Sequence, residues 1–211
     1  MMQVKYFEFN FLPVNTYVIW DETDEAAIID PGCFYPEESK TLATFIKDNN
    51  LKVKLLLNTH LHFDHVFGNS FVEDTYGVKA HANDLDMPWI KTMDARLSVF
   101  GIHFEGHVNP IEPENVLNEN DSVCFGNTTL HVLHIPGHSP GSLVFWNKEQ
   151  NCLFTGDVIF QGSYGRTDFP DGNHDALMNG IRTKLLTMPD ETVVYPGHGP
   201  ATSIRHERIF Y

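Results

Sequence analysis

The segment Thr59-His60-Leu61-His62-Phe63-Asp64-His65 places four metal-binding side chains within six residues. In an extended or turning segment His60 and His62 project to the same side, so two imidazoles can meet one metal. Asp64 and His65 follow closely enough to hold a second. Three further residues of the same chemistry stand at predicted strand-to-loop junctions. His138 lies in Pro136-Gly137-His138-Ser139, directly after a strand, where glycine permits a tight turn. Asp157 follows a predicted strand through Gly156, and His198 lies in Pro196-Gly197-His198-Gly199. Neutral imidazoles and carboxylates suit zinc and also iron or manganese, so these side-chain types do not by themselves choose the metal.

Short β-rich runs that could position these residues lie at 15–20, 26–29, 128–135, 143–146 and 152–155. The acidic turn at 22–25 and the polar turn at 147–151 predict hairpins between neighbouring runs. Residues 37–49 predict a surface helix, with Leu42, Phe45 and Ile46 on one face behind two acidic residues in the first turn. Residues 175–188 predict a second helix, because Leu177, Ile181 and Leu185 recur every four residues with Met178 and Met188 beside them, a stripe expected to pack into the core.

Residues 53–57 form a continuous apolar run that ends directly in the histidine-rich segment, and 192–195 does the same before Pro196-Gly197-His198. Strands that stop at Gly-rich loops and alternate with helices predict a layered α/β protein whose site lies on loops at one sheet edge. Residues 93–117, with Pro88, Pro110 and Pro113 in or beside them, have weak periodicity and predict a long excursion near that site.

The chain of 211 residues, 42% hydrophobic, suits a single domain over residues 1–211. A formal net charge of -14 argues against nucleic acid as a partner, since such binding draws on Lys and Arg against phosphates. Cys33, Cys124 and Cys152 are odd in number and widely spaced, which predicts neither a disulfide framework nor a cysteine zinc site and fits a reducing compartment. They are expected to be small buried or half-buried side chains rather than nucleophiles. The first twenty residues lack the order of an export signal, and no stretch reaches the ~20 apolar residues of a membrane span. A cytoplasmic protein without a membrane partner is expected. Its oligomeric state is not legible.

The ordered set His60-x-His62-x-Asp64-His65, His138, Asp157 and His198 resembles the metallo-β-lactamase superfamily, and more closely its glyoxalase II-like branch. The likeness to that branch also runs through Thr155-Gly156-Asp157 and Gly162-Ser163-Tyr164-Gly165-Arg166-Thr167-Asp168-Phe169-Pro170, and it extends from Asp30-Pro31-Gly32 to Gly199. It implies an α/β (α+β) fold, a four-layer αββα sandwich with the metals at one edge of two facing sheets. It implies two divalent metal ions, zinc first, with iron or manganese also suited. One would be held by His60, His62 and His138, the other by Asp64, His65 and His198, with Asp157 bridging them.

Arg166 stands where a basic residue of glyoxalase II-like enzymes helps hold the anionic thiol carrier, while pairing with Asp168 is the other role open to it. Tyr164 is a pocket-lining candidate. Residues 199–211 leave no room for the C-terminal helical domain that brings basic residues to glutathione in full-length glyoxalase II, so the chain resembles the short, single-domain hydroxyacylglutathione hydrolase-like forms. Arg205 and Arg208 are the basic residues this tail offers in its place.

Two cations a few ångströms apart can hold a hydroxide between them, because they lower the pKa of bound water from about 15.7 to around 7. That hydroxide is expected to attack an ester-like carbonyl, one metal polarising the oxygen and the other receiving a leaving thiolate. Asp64 either orients the hydroxide or serves only as a ligand, and Asp157 shares the catalytic centre. The activity implied is hydrolysis of small S-(2-hydroxyacyl)glutathione-type thioesters.

A rival is a persulfide dioxygenase, whose relatives share a Gly-Arg-Thr-Asp-Phe motif and use one iron bound by two His and one Asp. A lactonase, a β-lactamase and a non-catalytic metal-binding domain complete the alternatives. His81, His131, His134, His174 and His206 are expected to be surface or ordinary hydrogen-bonded residues, whereas His103 and His107 lie on the excursion expected near the metals.

Overall fold

Strand β1 (Gln3–Phe9) pairs antiparallel with β2 (Val14–Trp20), which pairs antiparallel with β3 (Glu25–Ile29). The sheet continues in parallel through β4 (Lys52–Leu57), β5 (Ala80–Ala82) and β6 (Asn115–Val116). In this computed structural model, residues 1–99, 101 and 111–211 are described. A second six-stranded sheet holds β7 (Ser122–Phe125), β8 (Thr128–His134), β9 (Leu143–Asn147), β10 (Cys152–Gly156), β11 (Val193–Pro196) and β12 (Thr202–Ser203). The two hairpins predicted around residues 22–25 and 147–151 are the β2–β3 and β9–β10 connections.

Parallel neighbours need crossovers, and helices supply them. Helix α1 (Pro36–Asp48) joins β3 to β4, while the short α2 (Phe63–Val66) and α3 (Asn69–Tyr76) lie between β4 and β5. Helices α4 (Met87–Lys91) and α5 (Met93–Val99) follow β5, and α6 (His174–Gly180) lies between β10 and β11. Helix α7 (Ile204–Glu207) closes the chain.

Because side chains alternate across a strand, each sheet offers one face inward and one outward. Tyr17, Ile19, Ala27, Ile29 and Leu57 of the first sheet meet Phe125, Leu130, Val132, Phe145 and Phe154 of the second. The opposite face, with Val18, Ile28 and Leu56, is covered by Leu42 and Ile46 of α1 and Val72 of α3. Val144, Leu153 and Val194 are covered in turn by Leu177, Ile181 and Leu185. Burying each such aliphatic side chain contributes about 1.5–3 kcal/mol. The four layers are therefore helix, sheet, sheet and helix, the αββα sandwich that the resemblance implies. Among the described residues no helix is long and apolar enough to cross a membrane.

The helix expected over 175–188 is interrupted. After α6 the chain widens into a π turn at Ile181–Leu185. The change begins directly after Gly180, where a Cβ would stand 2.4 Å from Ile135 Cγ2. The helix thus approaches the end of β8 closely enough that only glycine fits, and glycine is a weak helix former. The apolar stripe survives the change, since all three of its residues reach the core.

Candidate metal centre

Strand β4 delivers the chain to Asn58, whose N–H donates to His81 O, and the backbone then turns through Thr59 to His62 before α2 begins. His60 and His62 therefore come from irregular backbone, while Asp64 and His65 sit on the first turn of a helix. Asp30, at the end of β3, ties this turn down. It accepts from Thr59 N at 2.8 Å, from Thr59 Oγ1 at 2.6 Å and from His65 Nδ1 at 3.0 Å. Thr59 Oγ1, having donated its proton to Asp30, accepts from His60 Nδ1 at 3.1 Å. One buried carboxylate thus fixes the tautomer and orientation of two imidazoles.

The remaining rings are set in the same way. His138 Nδ1 donates to Arg166 O at 2.8 Å, and His198 Nδ1 donates to Pro13 O at 3.1 Å. Each outer nitrogen carries the proton, so each Nε2 turns its lone pair toward a common centre. His62 is held instead by rings, with Trp89 at 4.0 Å, His138 at 4.5 Å and Phe169 at 5.1 Å between centroids.

The ligand atoms of His60, His62 and His138 lie within 4.8 Å of one another, as do those of Asp64, His65 and His198. A third trio, Asp30, His60 and His65, is the hydrogen-bonded network just described. Asp157 faces both of the other sets. Its Oδ1 is 3.3 Å from His65 Nε2, and its Oδ2 is 3.4 Å from His138 Nε2 and 3.6 Å from His198 Nε2. Close approach here requires glycine. A Cβ on Gly156, whose φ is +48°, would meet Thr59 Oγ1 at 2.2 Å, and one on Gly197 would meet Asp157 Oδ1 at 2.4 Å.

Nε2 of His60, His62, His65 and His138 and Oδ1 of Asp157 are all buried without a hydrogen-bond partner. Each such orphan costs about 1–3 kcal/mol, and five aimed at one place are an arrangement that cations satisfy. Nitrogen and carboxylate donors in two groups of three with a shared carboxylate fit a pair of divalent ions.

The charges divide the centre in two. Burial, with the rings of His65 and His62 nearby, holds His60 well below the ordinary imidazole range. Burial and His138 do the same to His62, so both rings stand neutral and ready to donate lone pairs. Burial would also lower His65, but Asp157, Asp64 and Asp30 outweigh it and raise that ring well above its usual range. Burial would raise the Asp157 carboxyl, yet His65 and His198 hold it well below the usual carboxylate range.

Sequence reasoning missed Asp86. This fully buried carboxylate precedes α4 and accepts from Leu61 N at 3.2 Å, Ser139 Oγ at 2.7 Å and Gly141 N at 2.6 Å. It clamps the loop bearing His60 and His62 to the loop bearing His138. No spacing in the sequence links these segments.

A cavity of about 580 Å³ opens over the centre. His62, Asp64, His138, Asp157 and His198 line it together with Phe11, Leu12, Phe63, Trp89, Phe160 and Phe169. Arg166 reaches this wall and pairs with Asp168 through Nε at 2.6 Å and Nη2 at 2.7 Å. Tyr164 does not line the cavity; its ring packs near His174 and Tyr211. Arg205 pairs with Asp190, and Arg208 binds Asp190 and the carbonyls of Leu186 and Met188, so neither tail arginine reaches the cavity.

His103 and His107 lie outside the described residues. His81, His131 and His134 make ordinary hydrogen bonds. Cys33 and Cys152 are buried, the latter with its thiol pushed up to about 12 by burial, but Cys124 is exposed, contrary to expectation. Its β7 side chain points away from the core, alternating with the buried Val123 and Phe125.

The family model described as metallo-beta-lactamase superfamily matches residues 9–198. Hydroxyacylglutathione hydrolase GloC of Haemophilus influenzae is 36% identical over 196 residues, which cover 92% of this chain and 89% of that one. Among solved structures, the B3 metallo-beta-lactamase BLEG-1 matches with a TM-score of 0.88 at 32% identity, covering 98% of this chain and 97% of its own. TTHA1623, solved in a di-iron-bound form, matches with a TM-score of 0.82 at 34% identity and 97% coverage of both chains.

Proposed function

The chain belongs to the metallo-beta-lactamase superfamily, and from that premise we propose that it is a binuclear hydrolase of S-(2-hydroxyacyl)glutathione-type thioesters. The observation that carries this reading is the set of two ligand trios and Asp157, seven side chains of which five turn a buried, unpartnered atom inward. His60, His62 and His138 would hold one cation and Asp64, His65 and His198 the other, with Asp157 between them. When bound, the two ions supply a water acidified toward neutral pH and a Lewis acid for the carbonyl oxygen.

The side chains around the centre do the remaining work. Asp64 lines the cavity with Oδ2 at 3.5 Å from His198 Nε2, where, besides serving as a ligand, it can orient the attacking water by accepting a hydrogen bond from it. The apolar wall of Phe11, Phe63, Trp89 and Phe169 excludes bulk water and seats the acyl group. Water adds across the C–S bond, so the products are a carboxylic acid and a free thiol. The likeness to GloC supports the thioester, and the di-iron form of TTHA1623 keeps iron beside zinc as the metal.

A persulfide dioxygenase with one iron would use two His and one Asp and leave the other inward-facing atoms unpartnered. The two complete trios favour the hydrolase. The test follows thioester loss from S-lactoylglutathione and, separately, oxygen uptake with glutathione persulfide. The expected result is thioester cleavage that vanishes on chelation and returns with zinc, without oxygen uptake. Oxygen uptake with no thioester cleavage would overturn the proposal.

A further inference from the structure

Among the described residues two arginines, Arg96 and Arg166, reach the cavity wall, and they differ in what they have left to offer. Arg166 spends its guanidinium on both oxygens of Asp168. Arg96, on α5, donates from Nε to the neutral Thr92 Oγ1 at 2.9 Å, and among the described residues no carboxylate pairs with it. Its guanidinium carbon sits 3.4 Å from the centroid of the Trp89 ring. Trp89 in turn packs against His62, so Arg96 stands one side chain away from the candidate metal centre.

A guanidinium held against an indole is fixed in plane, while its outer edge keeps the paired N–H donors that match a carboxylate. Among the described residues the Nη donors have no partner, because the bond to Thr92 comes from Nε. Stacking orients the charge but supplies no counter-ion. An anion arriving with the ligand completes the pair.

We propose that Arg96 is the recognition residue for a carboxylate on the thiol carrier, so that the enzyme selects thioesters of an anionic thiol over those of a neutral one. The acyl end would lie over Asp157 and His138 while the carrier's carboxylate, several bonds from sulfur, reaches Arg96. The orientation of the acyl end rests on the thioesterase reading; the recognition itself is a property of binding.

The test separates the two. Binding of S-methylglutathione, a thioether that cannot be hydrolysed, and of its diethyl ester is measured calorimetrically on zinc-loaded wild type, Arg96→Gln and Arg96→Lys. Wild type should bind the acid at least about 10-fold more tightly than the ester. Arg96→Gln should lose that preference while its affinity for the ester stays unchanged, which also reports an intact fold. Arg96→Lys should fall between them, keeping the charge without the fork. An acid-to-ester ratio unaltered by Arg96→Gln, equal binding of acid and ester by wild type, or no binding of either would overturn the proposal. Hydrolysis of S-lactoylglutathione is followed in parallel. Selective binding without turnover would sink the reaction and leave the recognition standing, whereas turnover with an unaltered ratio would do the reverse.

Discussion

Nδ1 of His65 lies 3.0 Å from the carboxylate of Asp30, with both side chains buried. Since Asp30 also accepts twice from Thr59, and Thr59 accepts from His60, one carboxylate orients a member of each ligand trio. Asp30 has a φ of +49°, a conformation that asparagine tolerates, so Asp30→Asn isolates the charge from the backbone. It should weaken zinc about 10–100-fold, as measured by competition with a chromophoric chelator. Wild-type affinity in that variant would show that the carboxylate's charge has no part in ligand orientation.

Asp157 faces His65, His138 and His198 at 3.3–3.6 Å. Two cations lacking a shared anion repel one another. Asp157→Ala should therefore lower both metal content, read by plasma emission, and turnover. Retention of two metals per chain would count against the bridging position.

Asp86 accepts from two backbone N–H groups and one hydroxyl without solvent contact. Asp86→Ala strands both N–H donors and should cost about 2–4 kcal/mol in urea unfolding of the metal-free protein. Ser139→Ala removes one hydroxyl and should cost about 1 kcal/mol. Equal losses in the two variants would show that the clamp adds nothing beyond a single hydrogen bond.

The strands were legible where periodicity and turn chemistry agreed. Residues 15–20, 26–29, 143–146 and 152–155 fall within β2, β3, β9 and β10, because apolar runs there end at Asp, Asn or Gly turns. Strand β1 escaped notice. It lies at a sheet edge, its burial follows no clean alternation, and Lys5 and Glu8 interrupt its aromatics.

The cluster itself was visible because histidine and aspartate crowded strand ends, a pattern that composition does not produce by chance. The support around it was hidden for a physical reason. Asp30, Asp86 and Arg96 act through contacts that span 25 to 55 positions or depend on a single stacked ring, and such contacts exist only once the sandwich has closed. Tyr164 shows the converse, a neighbour of the motif in sequence whose ring turns toward Tyr211.

The most direct test of the central claim is anomalous scattering from crystals of the zinc-loaded protein, with data on both sides of the zinc absorption edge. Two anomalous peaks per chain are expected, one among His60, His62 and His138, the other among Asp64, His65 and His198, with Asp157 touching both. A single peak, or two peaks that leave either trio bare, would contradict the account.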